Sequence, residues 1–416
     1  MNVKDKLIKI FNFIIYWSLI ILPFSIGIAQ GVKETVTGFI IGFFVLGKII
    51  KKERLFIKTV VSLPFLLFIL VSLISFKNSI DYKASFMGIV KLIKYGFIFL
   101  VYAEEIRDLK HLRRIIFSVI CGVCLVSIDG LWQYIFKQDF IRGQPLCTFF
   151  ILPRTTASFP WPNAMGIYLA ALAPFLFGFA LFYFQGKKKY LMFIPAIVGA
   201  AGLYLTFSRG AGLGFFIAVL FMAIVKKSKF IITVLLAILL VFPFIMPKNI
   251  KDWARQVHYN PVVFMCNPER LTIYATAVNM IKHHPVIGVG VNTFAINYSR
   301  YMLAEMEAYA PTPGTMYYAH NNFLHMGAEV GLLGLCIFLW FLFMLFRQGW
   351  QMYGRFESEF LKITALSLLS CLIAFLINGL TETSLYNGRV ATVFWFIVGL
   401  LLSLSNFTKI KEPSGK

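Results

Sequence analysis

Three ionisable side chains interrupt apolar sequence, and their types suit chemistry on an anionic substrate. Arg209 lies in a tight turn between two apolar runs, Arg270 lies in the first turn of a predicted helix, and His320 precedes a long apolar run. Guanidinium groups bind oxyanions through charge-assisted hydrogen bonds, and the free N–H groups of a helix start assist them. A neutral imidazole accepts a proton near working pH. The three residues therefore predict an anion site beside a general base.

Each of these residues also has a structural alternative. Arg209 fits an arginine that extends its side chain to the membrane–water interface. Arg270 fits a salt bridge to Glu269 or to another acidic residue of the cap, and a lone histidine is more often structural than catalytic. His325 and Glu329, which are four residues apart on one predicted helix, are expected to face each other as a structural pair.

Four further residues complete the predicted substrate-binding set. Arg154 precedes the rigid segment Pro160-Trp161-Pro162-Asn163 in a second loop. We expect Arg154 to contact phosphate or sugar and Trp161 to stack on a sugar ring, although tryptophan is common at membrane interfaces without a ligand. Asn163 and Asn321 are predicted to contact the same substrate.

The composition of the chain indicates a membrane protein. Hydrophobic residues make up 59% of its 416 residues and charged residues 14%, with a mean hydropathy of +0.77. A soluble domain of this size could not bury that much apolar surface. The net charge of +22 does not indicate nucleic-acid binding, because Lys and Arg stand in short clusters between apolar runs instead of on one basic face.

The apolar runs predict about twelve transmembrane helices. When the connections are taken alternately along the chain, one set holds most of the 40 Lys and Arg. By the positive-inside rule that set is cytoplasmic, and so are both termini. The runs are 11–30, 36–50, 57–76, 84–103, 114–136, 162–184, 190–207, 210–225, 230–247, 322–346, 360–381 and 389–406.

Two long connections, 137–161 and 248–318, then fall on the periplasmic face. Connections this long are usually functional or disordered, and the second is not low in complexity. We therefore predict membrane helices one to nine over 1–247, a helical periplasmic cap over 248–321, and membrane helices ten to twelve with a cytoplasmic tail over 322–416.

Within the cap, Asn267 as the capping residue and Pro268 in the first turn predict the start of a helix. A second helix is predicted over 293–308. The apolar face of the first helix is predicted to hold Leu271, Tyr274, Ala275, Val278 and Ile281.

Motifs for other chemistry are weak. Gly288-Val289-Gly290 has neither the third glycine nor the preceding strand of a nucleotide-binding loop, so it predicts a turn. No Asp-x-Asp pair is present, so we expect no metal and no cofactor. Cys121 and Cys124 lie inside an apolar run and are expected to be buried thiols. Cys147 and Cys266 both fall on the predicted periplasmic side, where a disulfide between them is possible.

The motifs, in their order, resemble those of the O-antigen ligase and O-antigen polymerase superfamily of bacterial envelope glycan enzymes. Residues 320–334 read His-Asn, nine residues and Gly-Leu-Leu-Gly, similar to its His-(Asn/Ser/Gln)-x9-Gly-x-x-Gly signature. Residues 209–213 are similar to its Arg-x3-Leu motif. Arg270, followed by a helix and by His-Pro-Val-Ile-Gly-Val-Gly at 284–290, resembles a third motif, and 154–168 also fits.

The resemblance implies a GT-C-like, all-α membrane enzyme with its active site on the periplasmic face of the bacterial inner membrane. Such an enzyme moves a glycan from undecaprenyl diphosphate to an acceptor hydroxyl without a metal. The resemblance also implies that Arg209 and Arg270 hold the diphosphate and that His320 orients or deprotonates the acceptor. The expected partners are the lipid-linked glycan, lipid A core or another hydroxyl acceptor, and the bilayer.

The resemblance leaves the acceptor open. The complete signature favours a ligase that uses lipid A core, whereas a polymerase uses a second lipid-linked repeat and a protein O-oligosaccharyltransferase uses a protein hydroxyl. From another class, a transporter or flippase of lipid-linked glycan would line a mid-membrane path with charges. Lys91, Lys94 and Asp129 lie inside predicted spans and favour that alternative, unless Asp129 only pairs with one of the lysines.

Overall fold

The computed structural model describes residues 3–55, 58–148, 152–266, 268–304 and 317–408. Over these ranges the chain is an all-α polytopic membrane protein. Its α-helices are α1 (Val3–Ile28), α2 (Gln30–Lys51), α3 (Ser62–Ile74), α4 (Tyr82–Glu105), α5 (Leu109–Phe136), α6 (Pro162–Phe182), α7 (Gly186–Leu205), α8 (Arg209–Val225), α9 (Lys229–Ile245), α10 (Lys248–Gln256), α11 (Pro261–Met265), α12 (Pro268–His283), α13 (Phe294–Tyr301), α14 (Asn322–Arg355), α15 (Glu359–Asn378) and α16 (Gly388–Ser403).

Each of the twelve predicted apolar runs coincides with one of these helices. Eight helices in the described ranges (α1, α4, α5, α6, α7, α14, α15 and α16, the last extended to Phe407) are long and apolar enough to cross a bilayer. The helix α9 and the helix α10, which are bent by 86° relative to each other, make a ninth if they are counted as one span. The helices α3 and α8 are shorter apolar helices, and α2 carries charges at both ends. The number twelve therefore stays a prediction.

The centre of the bundle consists of α6, α15 and α16, whose apolar segments are the most buried. The helix α15 packs between α6 and α8, and α16 packs against α4. Alanine and glycine are frequent along α6, and small residues let neighbouring helix backbones approach closely. In contrast, Leu235 is the one buried residue of α9, which lies at the periphery against α8.

The connections between consecutive helices lie alternately at the two ends of the bundle, and hydrogen bonds join the connections that meet at each end. At the end called here the cap end, loop 137–161, the start of α8, the cap and the α15–α16 connection meet. At the opposite end, Lys226 pairs with Glu359 at 2.7 Å and Asn406 donates to the carbonyl of Ala103 at 2.9 Å. Which end faces the periplasm stays a prediction from the charge distribution.

The helix α14 contains a break at Gly331, where φ is +72° and ψ is 178°. The segment 285–290 enters this break. The N–H of Leu332 donates to the carbonyl of Pro285 at 2.8 Å, and the N–H of Val289 donates to the carbonyl of Ala328 at 2.9 Å. A Cβ on Gly331 would collide with the carbonyl of Val286. The glycine is therefore required by the backbone conformation at the break.

The cap has its own small core against the first turns of α14. The helix α12 begins at Pro268 as predicted, whereas Asn267 lies outside the described residues. The second cap helix is shorter than expected and ends at Tyr301, and 305–308 are outside the described ranges. The predicted apolar face of α12 was wrong, because α13 and α14 pack on a neighbouring face of the helix. The buried residues of α12 are Thr272, Ile273, Thr276, Ala277 and Met280.

The predicted pairing of Asp129 with a lysine was wrong. The carboxylate of Asp129 accepts from the backbone N–H of Phe140 at 2.9 Å, so it ties α5 to the loop that follows it. Lys94 pairs instead with Glu34 on α2, at 3.1 Å. Lys91 is exposed.

Other predicted pairs have mixed outcomes. His325 Nε2 and Glu329 Oε1 lie 3.2 Å apart in a fully buried position, which confirms the structural pair. Cys147 and Cys266 are both free thiols. Cys121 and Cys124 are free and only half-buried, because that face of α5 is not fully covered.

The buried cation Arg389, at the start of α16, joins three elements. Its Nε donates to the carbonyl of Ile26 at 2.9 Å and its Nη1 donates to the carbonyl of Ser158 at 2.7 Å. The guanidinium carbon also lies 3.8 Å from the centroid of the Phe159 ring. These contacts fix the loop before α6 relative to α1 and α16.

Candidate active site

A single carboxylate, Glu382, joins the predicted site residues at the cap end. It lies in the connection between α15 and α16, and its side chain is 11% exposed. Its Oε1 accepts hydrogen bonds from Nη2 of Arg270 and Nδ2 of Asn163. Its Oε2 lies 3.0 Å from Nδ1 of His320. Residues from α6, α12 and the start of α14 thus meet at one acidic group.

The ionisation of Glu382 follows from these contacts. Burial alone would raise its pKa, because a charged group loses hydration. The charge of Arg270 and the hydrogen bonds from His320 and Arg270 outweigh burial and lower the pKa to about 2. Glu382 is therefore a carboxylate at any physiological pH.

Arg270 is held in place by the α15–α16 connection. It stands in the first turn of α12, and its Nη1 donates to the carbonyl of Thr381 at 2.7 Å. Arg270 forms its ion pair with Glu382. Glu269, the partner expected from the sequence if the role of Arg270 were structural, is exposed. Burial tends to lower the pKa of Arg270, but the charge of Glu382 dominates and raises it.

The backbone around His320 is locked in an uncommon conformation. Its φ is +46°, in the left-handed region that residues other than glycine rarely adopt. The hydroxyl of Tyr274 donates to its carbonyl at 3.0 Å. Asn321 then caps α14 by accepting from the N–H of Phe323 at 2.9 Å, and its amide donates to the carbonyl of Leu380 at 3.0 Å. Asn321 thus positions His320, and a contact with substrate stays a prediction.

Arg154 lies next to this network. Its Nε donates to the carbonyl of Thr206 at 2.6 Å and its Nη2 donates to Oδ1 of Asn163. Burial lowers the pKa of Arg154 to about 10, and the charges of Arg209 and Arg270 act in the same direction. Trp161 stands beside Asn163 in sequence and is 67% exposed, which leaves its ring available to a ligand.

Arg209 contacts Phe264 of the short helix α11. Its Nη1 donates to the carbonyl of Phe264, and its guanidinium carbon lies 5.3 Å from the centroid of the Phe264 ring. Among the described residues, no carboxylate is paired with Arg209, which is exposed. A guanidinium has five N–H donors, so an anion can bind Arg209 beside the Phe264 carbonyl.

The arrangement carries an excess of positive charge. Arg154, Arg209 and Arg270 lie within electrostatic range of one another, and Glu382 lies within range of Arg154 and Arg270. In the described ranges, no group of three or more His, Cys, Asp or Glu lies close enough to hold a metal ion. Such a site can hold a polyanion such as a diphosphate, with an imidazole one-third exposed beside it.

Sequence reasoning missed Glu382, Tyr274 as a hydrogen-bond donor, and Phe264. The available signal for Glu382 was its position as an acidic residue in a short connection on the arginine-bearing side. It lies outside the motif ranges, so the resemblance did not point to it.

The comparisons support the resemblance. A model of the O-antigen ligase family matches residues 194–339. This range contains Arg209, Arg270 and His320, and it excludes Arg154, Asn163 and Glu382. No curated protein matches the chain. The matched region thus carries three of the predicted site residues, and it supports the resemblance of this chain to the O-antigen ligase superfamily.

Proposed function

We propose that this protein is a glycosyltransferase that moves a glycan from undecaprenyl diphosphate to an acceptor hydroxyl at the periplasmic face of the bacterial inner membrane. The observation that carries the proposal is the convergence of Arg154, Arg209 and Arg270 beside His320, with one carboxylate among them. The family match supports glycosyltransferase chemistry in general.

In this proposal the arginines bind the diphosphate. As the bond between the anomeric carbon and the phosphate oxygen breaks, negative charge grows on the leaving undecaprenyl diphosphate. Arg209 and Arg270 stabilise that charge, as a metal ion does in other transferases. Arg154 and Asn163 contact the same group or the first sugar, and Trp161 stacks on the glycan.

His320 serves the acceptor in this proposal. Its imidazole takes the proton of the acceptor hydroxyl while the hydroxyl oxygen bonds to the anomeric carbon. The proton ends on His320 and the glycan on the acceptor. No step needs a metal ion or a redox cofactor.

The complete His-Asn signature favours lipid A core as the acceptor. A polymerase or a protein O-oligosaccharyltransferase would use the same donor half of the site. The transporter alternative loses support, because Lys94 is paired with Glu34 and Asp129 is bonded to the loop at Phe140.

The test is transfer by the purified protein in liposomes, with a labelled lipid-linked glycan and three separate acceptors: lipid A core, a second lipid-linked glycan and a serine-containing peptide. Label on lipid A core is the expected result. Label on either of the other acceptors would support the transferase reaction and show that lipid A core is not the acceptor. Translocation of intact donor without transfer to any hydroxyl would overturn the proposal.

A further inference from the structure

We propose that Glu382 is the positioning residue of this site: it orients His320 so that Nε2 faces the acceptor as the base, and it links that base to the donor-binding Arg270. The inference rests on the proposed function for its chemistry. Its structural part, the tautomer of His320, can be tested without substrate.

The tautomer follows from the identity of the acceptor atom. An ionised carboxylate accepts hydrogen bonds and donates none. Because Glu382 is ionised, the 3.0 Å contact with His320 requires the hydrogen to be on Nδ1. The other ring nitrogen, Nε2, then carries a lone pair in the neutral ring. A carboxylate behind a histidine has this effect in other catalytic sites, where it also stabilises the imidazolium that forms.

Glu382 supplies the constraint that the backbone of His320 leaves open. The hydroxyl of Tyr274 and the capping by Asn321 hold the main chain on both sides of the ring. These contacts fix the backbone position of His320 but not the orientation of its imidazole ring. The contact between Nδ1 and Oε2 fixes the ring.

The same carboxylate also fixes the donor side. Oε1 of Glu382 accepts from Arg270 and from Asn163, which in turn accepts from Arg154. A shift of the α15–α16 connection would therefore move the base and two arginine contacts together. We infer that one anion sets the distance between the diphosphate site and the base.

The charged and titratable groups that face His320 come from two elements. Glu382 approaches from the α15–α16 connection, and Arg270 and Tyr274 approach from α12. Removal of the Glu382 charge takes away the negative group of this set, so the imidazolium that forms during transfer loses its stabilising partner.

The kinetic test compares wild type with Glu382→Gln, Glu382→Asp and the control Glu269→Gln, which removes an exposed carboxylate next to Arg270. We expect Glu382→Gln to lower kcat by roughly 100-fold or more, within the range for general acid–base groups. Glu382→Asp keeps the carboxylate and should restore part of the rate. Glu269→Gln should match wild type.

The structural test is nitrogen NMR of 15N-histidine-labelled protein in lipid, with His320→Gln to assign the signal. Hydrogen on Nδ1 in wild type and a mixture of tautomers in Glu382→Gln is the expected result. Hydrogen on Nε2 in wild type, or a wild-type kcat in Glu382→Gln, would overturn the inference. If wild type shows the expected tautomer but transfers to no acceptor, the proposed function fails while the positioning of His320 stands.

Discussion

Leu332 donates its N–H to the carbonyl of Pro285 across the break in α14, at 2.8 Å. This bond joins two motifs that lie some fifty residues apart in the sequence, the Gly-Leu-Leu-Gly end of the signature and the segment at 284–290. His320 lies just before the first turn of α14. The segment 284–290 follows α12, which carries Arg270. The two motifs thus hold the base and an arginine in one unit.

Gly331→Ala should destabilise the protein. Alanine at a φ of +72° and a ψ of 178° costs on the order of 1–3 kcal/mol, and its Cβ would collide with the carbonyl of Val286. The control is Gly354→Ala on the same helix, where an added Cβ meets nothing within 4 Å. That change should alter stability by at most about 1 kcal/mol. Thermal unfolding in detergent measures both, and equal midpoints for the two variants would contradict the role of the break.

Arg389→Met should destabilise the fold without changing the chemistry of the site. It leaves the carbonyls of Ile26 and Ser158 without their buried donor, a loss of about 1.5–3 kcal/mol for hydrogen bonds that involve a charged group. The control is Arg347→Met, at an exposed position of α14. Unfolding temperature and transfer rate per folded molecule are measured together. A stable Arg389→Met protein would show that this arginine does not hold the loop.

Stability should fall in acid through Glu382. Its pKa in the folded protein is about 2, below the ordinary value of 4.5. A lowered carboxyl pKa stabilises the fold above the ordinary value, and this contribution is lost as the pH falls from about 4.5 towards 2. Glu382→Gln should therefore flatten the fall of the unfolding temperature over that window. An unchanged acid dependence in this variant would contradict the ionised cluster.

Arg209 should contribute to diphosphate binding even though Phe264 covers it. Arg209→Met should weaken binding of undecaprenyl diphosphate at least about 10-fold, because a charge-assisted contact is worth roughly 1.5–3 kcal/mol. Phe264→Ala removes a cation–π contact of about 0.5–1 kcal/mol and should change the affinity less. Arg255→Met, on the exposed face of α10, is the control. Binding by Arg209→Met at wild-type affinity would exclude this arginine from the donor site.

The sequence allowed the helices to be predicted well, since long apolar runs leave few alternatives in lipid. It also indicated His320, Arg270 and Arg209, whose charges stand out against apolar neighbours. It could not reveal Glu382, because the role of a single carboxylate depends on which segments fold next to it. The break at Gly331 was missed for a similar reason: its backbone bonds come from the distant segment 285–290.

The most direct test of the proposed site separates donor binding from transfer. His320→Ala, Arg270→Met and the control Arg255→Met are compared with wild type for affinity to undecaprenyl diphosphate and for the rate of glycan transfer in the presence of a chelator. We expect His320→Ala to bind the donor normally and to lose at least about 100-fold in rate, Arg270→Met to lose both, and the control to lose neither. Transfer at the wild-type rate by both His320→Ala and Arg270→Met would contradict a transferase site at the cap end.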